Sequence, residues 1–288
     1  MWTQDIEKEF FIKSLAIMTK EKLFYKSDNN KYFAYWPKSY KGEKFTLQSR
    51  NALIGNFAEK FCIESLRKFA DRKDLYVVQG AVCEEIGLPP GSEADVVLSK
   101  SNIIKQNAED IVAIFEVKMS IVWNWELIML NDVPQLKQIG NYQSHQGTPG
   151  LLRSDSMLKA IGKSINIRVS GIKSAHIPII ILGNTPIKKS YYSKVDHLKN
   201  HGVIQGFWSL NPNLDDNSEN IKHTDNKGFM RIDTETEFDG ELDRLISEYR
   251  EFFAAMKSKQ ELGMIIAEAS KEADLEKKAE KFLAMIRS

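Results

Sequence analysis

Two apolar runs separated by a polar loop constrain this chain most. The first is Ser92-Glu93-Ala94-Asp95-Val96-Val97-Leu98 and the second is Ile111-Val112-Ala113-Ile114-Phe115-Glu116-Val117-Lys118. The second is apolar at successive positions, as expected for a central strand buried on both faces. An acid stands at the edge of the first run. A second acid and a lysine close the next. On a strand, residues i and i+2 point to the same face, so Glu116 and Lys118 project together. A paired neighbouring strand brings Asp95 beside them. Two carboxylates and a lysine on one wall can hold a divalent metal and steer a water, which is equipment for cutting a phosphodiester.

The flanking sequence supplies the layers. Helical spacing predicts a helix over 4–20 and a longer one over 51–70, where Ile54, Phe57, Ala58, Phe61, Cys62, Ser65, Leu66 and Phe69 form one stripe. Strands are expected at 75–82, 93–98, 111–119, 177–182 and 203–210. Asp132 reads as the cap of a helix over 133–143 that tolerates Pro134 in its first turn. Irregular structure around a short helix is expected over 147–171, a short helix over 194–200 and a polar loop over 211–228. After Phe238 the pattern is helical, with Leu242, Leu245, Ile246, Tyr249, Phe252, Phe253 and Met256 on one face. The succession of helix, three strands, helix and further strands predicts an α/β sandwich around a central mixed sheet. It divides into an N-terminal extension (1–50), a core (51–210) and a loop with C-terminal helices (211–288) that serve packing or dimerisation.

Four pieces fall in a fixed order: Gly55-x-x-x-Glu59, Ala94-Asp95, Glu116-x-Lys118 and Gln138-x-x-x-Tyr142. In that order the chain resembles the PD-(D/E)xK nuclease superfamily, which includes most type II restriction enzymes and the RecB-like exonucleases. Ala94 stands where the name-giving motif has Pro. The resemblance implies a restriction-endonuclease-like core and a bound magnesium, with manganese as an alternative. It makes Asp95 and Glu116 the metal ligands, with the Val117 carbonyl as a further one. Lys118 would orient or deprotonate the attacking water. Glu59 would reach the metal directly or through water, and Gly55 would let its helix approach the sheet closely. Gln138 and Tyr142, expected on one helical face, would support the active site and the DNA backbone, with Lys137 on a phosphate.

The formal net charge is +1 over 288 residues, so attraction for a polyanion must be local. One candidate is the stretch holding Lys31, Tyr35, Lys38, Lys41 and Lys44, where bases alternate with aromatics. Lys188 and Lys189 form another. Cys62 and Cys83 lack metal spacing and read as reduced core residues. The five histidines also lack metal spacing. The start of the chain lacks a signal-peptide pattern, and the strongest apolar run is too short to span a bilayer. A cytoplasmic protein without membrane contact is expected.

The expected function is a magnesium-dependent, site-specific endonuclease acting on double-stranded DNA as a homodimer, with a cognate DNA methyltransferase in the same system. A RecB-like exonuclease or repair nuclease is the alternative. A non-catalytic DNA-binding protein is the alternative from another class.

Overall fold

The computed structural model describes residues 1–27, 29–43, 45–212, 220–254 and 256–287. The chain opens with α1 (Gln4–Leu15), the single turn α2 (Lys20–Leu23) and the short strands β1 (Tyr25–Lys26) and β2 (Tyr32–Phe33). The long helix α3 (Gln48–Arg72) leads to β3 (Tyr76–Ala81), β4 (Ala94–Ser99) and β5 (Ile111–Lys118). A hairpin of β6 (Asn124–Leu130) and β7 (Val133–Gly140) follows, then α4 (Ser154–Val169), β8 (Ile179–Gly183), α5 (Tyr192–Asn200), β9 (Gly206–Ser209) and β10 (Phe229–Arg231). Three helices end the chain: α6 (Glu235–Ser247), α7 (Lys259–Ala269) and α8 (Leu275–Arg287).

The central sheet has six strands in the order β10-β9-β8-β5-β4-β3. β4 runs antiparallel to both of its neighbours, β3 and β5, while β5, β8, β9 and β10 are parallel. The sheet is therefore mixed, as expected. β5 is paired on both edges and covered on both faces, which accounts for its unbroken apolar run.

Helices cover both faces. On one, Phe10 and Phe11 of α1, Ile54, Ala58, Cys62, Leu66 and Phe69 of α3, and Phe238 and Leu242 of α6 pack on Val96, Leu98, Ala113 and Phe115. On the other, Met157, Ala160 and Ile167 of α4 and Val195 of α5 pack on Val97, Ile114, Ile179 and Ile181. Residues of the first 50 positions thus share a core with α3 and α6.

A second sheet, with strand order β1-β2-β6-β7, corrects the reading of 133–143. That segment is not a helix but β7, paired antiparallel with β6. Asn131 and Asp132 have positive φ, 49° and 61°, so they form the two-residue loop that matches the twist of a hairpin. Asp132 is a turn residue here and caps nothing. Alternation now decides what is buried: Trp125 and Leu127 face inward, while Ile128, Met129 and Leu130 are exposed near the tip.

Two further expectations are corrected. Residues 147–171 contain the sixteen-residue α4, whose exposed Leu158, Ile165 and Val169 blur its inner face. The C-terminal face does not continue from Leu242 to Met256, because α6 stops at Ser247. There the Arg250 side chain donates back to the Leu245 carbonyl and the Phe252 N–H donates to the Ala175 carbonyl. Both contacts tie the chain to another path.

Among the described residues, no helix is long and apolar enough to cross a membrane.

Candidate active site

β4 and β5 are registered with Val96 opposite Phe115. Both belong to the core beneath α3. Side chains alternate along a strand, so Asp95, Glu116 and Lys118 turn to the other face, toward α4.

There they form a closed ionic set. Lys118 Nζ lies 2.5 Å from Glu116 Oε1 and 3.3 Å from Asp95 Oδ2. It also donates to the Val117 carbonyl at 3.1 Å. The Val117 N–H fixes Asp95 Oδ2 at 2.7 Å. From α4, Lys163 Nζ lies 2.6 Å from Glu116 Oε2 and 3.2 Å from Asp95 Oδ1. Each of the four carboxylate oxygens therefore faces one of two ammonium groups. Glu116 Oε2 is buried and receives no hydrogen bond of good geometry, so its contact with Lys163 is one of charge. Burial pulls the Lys163 pKa down, but the charges of Asp95 and Glu116, both in close contact with it, outweigh burial and hold it above its ordinary value.

Lys163 was not found from the sequence. The usable signal was Met157, Ala160, Ser164 and Ile167, spaced by three and four, which places Lys163 beside the inward stripe.

Glu59 does not join this set. Gln79 Nε2 donates to Glu59 Oε2 at 2.7 Å, and Gln79 pairs with Val96 on the side of α3. Burial raises the Glu59 pKa, the Gln79 bond opposes that, and the nearby charge of Asp95 raises it again. Glu59 is thus electrostatically coupled to the set from the other side of the sheet. Gly55 lies one helical turn earlier, with open space where a Cβ would stand, so no close approach requires glycine there.

Gln138 and Tyr142 do not share a helical face, because Gln138 is an exposed residue of β7 and Tyr142 lies beyond its end. Tyr142 is half-buried against the first core. Lys137 is exposed and pairs in register with Glu126.

The aromatic and basic stretch near residue 35 folds its rings inward. Trp36 stacks on Tyr40 at 3.8 Å, and both pack with Tyr25 and Leu47. Tyr35 stacks on His145 at 3.9 Å and donates to the Ile121 carbonyl at 2.8 Å. Lys31 is ion-paired with Glu126 at 2.9 Å. Lys38, Lys41, Lys188 and Lys189 are exposed, and Lys44 lies outside the described residues. Cys62 and Cys83 are buried and unpaired, as expected of core thiols.

Beside Lys118 opens a cavity of about 330 Å³. Arg50, Arg153 and Lys118 line it with hydroxyl and amide side chains, and among the described residues no carboxylate lines it. Arg50 is held between the rings of Tyr25 and Tyr35, at 5.1 and 5.2 Å, and donates to the carbonyls of Leu23 and Ala34.

Among the described residues, no group of three or more His, Cys, Asp or Glu side chains is placed to hold a metal ion. The donors around Lys118 Nζ nevertheless suit a hard cation. Two carboxylates and one carbonyl surround a positive centre within 3.3 Å, and magnesium uses one or two carboxylates together with substrate phosphate and water.

No family model, curated protein or solved structure matches this chain.

Proposed function

We propose that the protein is a magnesium-dependent deoxyribonuclease that hydrolyses phosphodiester bonds in double-stranded DNA, with a restriction-endonuclease-like core. The observation that carries this reading is the interlocked set of Asp95, Glu116, Lys118 and Lys163 beside a cationic groove. Asp95, Glu116 and the Val117 carbonyl would hold the metal. When bound, magnesium polarises the scissile phosphate and lowers the pKa of a bound water.

The remaining work falls to the chain's own groups. Val117 fixes Asp95 through its N–H, so one carboxylate is oriented before substrate arrives. Lys118 and Lys163 supply two ammonium groups that can turn from the carboxylates to the phosphate, where negative charge develops. Lys118 also positions the attacking water. Arg50 and Arg153 offer charge for the neighbouring phosphates.

The test is digestion of closed circular plasmid and linear phage DNA by purified protein, with magnesium or with chelator. Discrete bands with magnesium alone support a site-specific endonuclease. Intact circles beside degraded linear DNA support an exonuclease of the same chemistry. Full cleavage by purified Asp95→Ala or Lys118→Ala protein rejects the site. A homodimer, as a two-fold target would suit, is checked by sedimentation with and without DNA.

A further inference from the structure

At the opposite end of the sheet, where β8 and β9 begin, a cavity of about 520 Å³ opens. Its walls come from α4, α5, α6 and the segment after α6. Among the described residues, two cations there have no carboxylate within ion-pair distance. Arg168 is buried and donates to the carbonyls of Val203 and Ser174 and to the Gln205 side chain, at 3.2, 2.5 and 3.0 Å. Lys199 donates to the Lys227 carbonyl, at 3.0 Å. The acids in the lining are already engaged, Glu241 by Arg244 and Glu251 by Arg287 and His176.

Buried charge without a counter-charge is costly. The Arg168 pKa is pushed down to about 10 by burial. Burial, followed by the charge of Arg244, also lowers that of Lys199. An anion in the cavity would relieve both. Beside the cations stands an apolar wall: Phe252, whose ring lies 5.3 Å beneath the Arg168 guanidinium, with Phe253 and Ile177. The volume suits a small molecule, and the pairing of cations with aromatic rings suits an anion that carries a flat apolar group.

We propose that this cavity binds a nucleoside phosphate, with its phosphoryl group on Lys199 and Arg168 and its base against Phe252 and Phe253. The site is separate from the ionic set. It stands or falls without the proposed nuclease activity.

The test is calorimetric titration of the full chain with nucleoside mono- and diphosphates, an unphosphorylated nucleoside, inorganic phosphate and a 5′-phosphorylated single strand. Trp208, in the lining, gives a second readout by fluorescence. A nucleoside phosphate should bind about tenfold or more tightly than the nucleoside or phosphate alone. Lys199→Glu should weaken it by a similar factor, Phe253→Ala should weaken the nucleotide but not phosphate, and Lys118→Ala should leave it unchanged. Binding of free nucleotides identifies a mononucleotide ligand, and binding of the strand alone identifies a strand end. No binding at millimolar concentration overturns the proposal. So does phosphate binding as tightly as nucleotide, or a Lys199→Glu protein that binds normally. Thermal melts confirm that each variant is folded, and Lys199→Gln replaces Lys199→Glu if the latter is not.

Discussion

Lys163 Nζ stands 2.6 Å from Glu116 Oε2, so a helix on one face of the sheet neutralises an acid at the end of its central strand. The contact ties α4 to β5 at the point where the proposed chemistry occurs. Lys163→Met should lower the cleavage rate by about 10²–10³ fold while DNA binding falls little. Because Lys118 still faces Glu116, the fold should lose only about 1–3 kcal/mol. Single-turnover cleavage and urea unfolding read the two effects separately. A normal rate in a folded variant would remove Lys163 from the mechanism.

Asp95→Ala or Lys118→Ala should abolish cleavage while leaving DNA binding largely intact. Binding by either variant should weaken steeply with salt, because phosphate contacts release counterions. Fluorescence anisotropy across a salt series measures this. A flat salt response would argue against a groove that binds phosphates through its cations.

Glu7 predicts a pH dependence of stability. Its buried carboxylate accepts N–H groups from Trp2, Val122, Trp123 and Trp125. Burial pushes its pKa up to about 7 from an ordinary 4.5, against the pull of those donors. The folded state therefore holds the proton more tightly than the unfolded state. The stabilisation is fully present below about pH 4.5 and is lost as pH rises through about 7. The span corresponds to about 3 kcal/mol. Tm should fall between pH 5 and 8, and Glu7→Gln should flatten that slope. An unchanged slope in the variant would assign the effect elsewhere.

The hairpin turn offers a backbone test. Asp132 has φ 61°, a conformation that glycine adopts freely and β-branched residues resist. Asp132→Val should destabilise the β6–β7 hairpin by about 1–2 kcal/mol, and Asp132→Gly should match or exceed wild type. Amide hydrogen exchange in β6 and β7 reads this locally. Equal exchange in the two variants would contradict the turn.

The sequence spoke clearly where one period dominated. The stripe of α3 and the double-faced run of β5 follow from burial, and both are where expected. So is the mixed sheet between helices. Placing Asp95 beside Glu116 and Lys118 needed only strand alternation and one pairing. Asn131-Asp132 misled because an acid before an apolar stretch can cap a helix or turn a hairpin, and pairing with β6 decided it. Lys163 was hidden for a different reason. Its partners lie 47 and 68 positions earlier in the chain, and only the packing of α4 on the sheet brings them together. The superfamily resemblance rests on Asp95, Glu116 and Lys118, since Gln138 and Tyr142 lie on a strand and beyond it.

Two acids matched by two bases leave the ionic set electrically neutral before any ligand arrives. Replacing one acid by its amide tips that balance to a net positive charge without removing bulk. Glu116→Gln protein should then hold DNA more tightly than wild type while failing to cut it. Such a variant is a snare for substrate, suited to capturing the uncut target from a mixture of fragments.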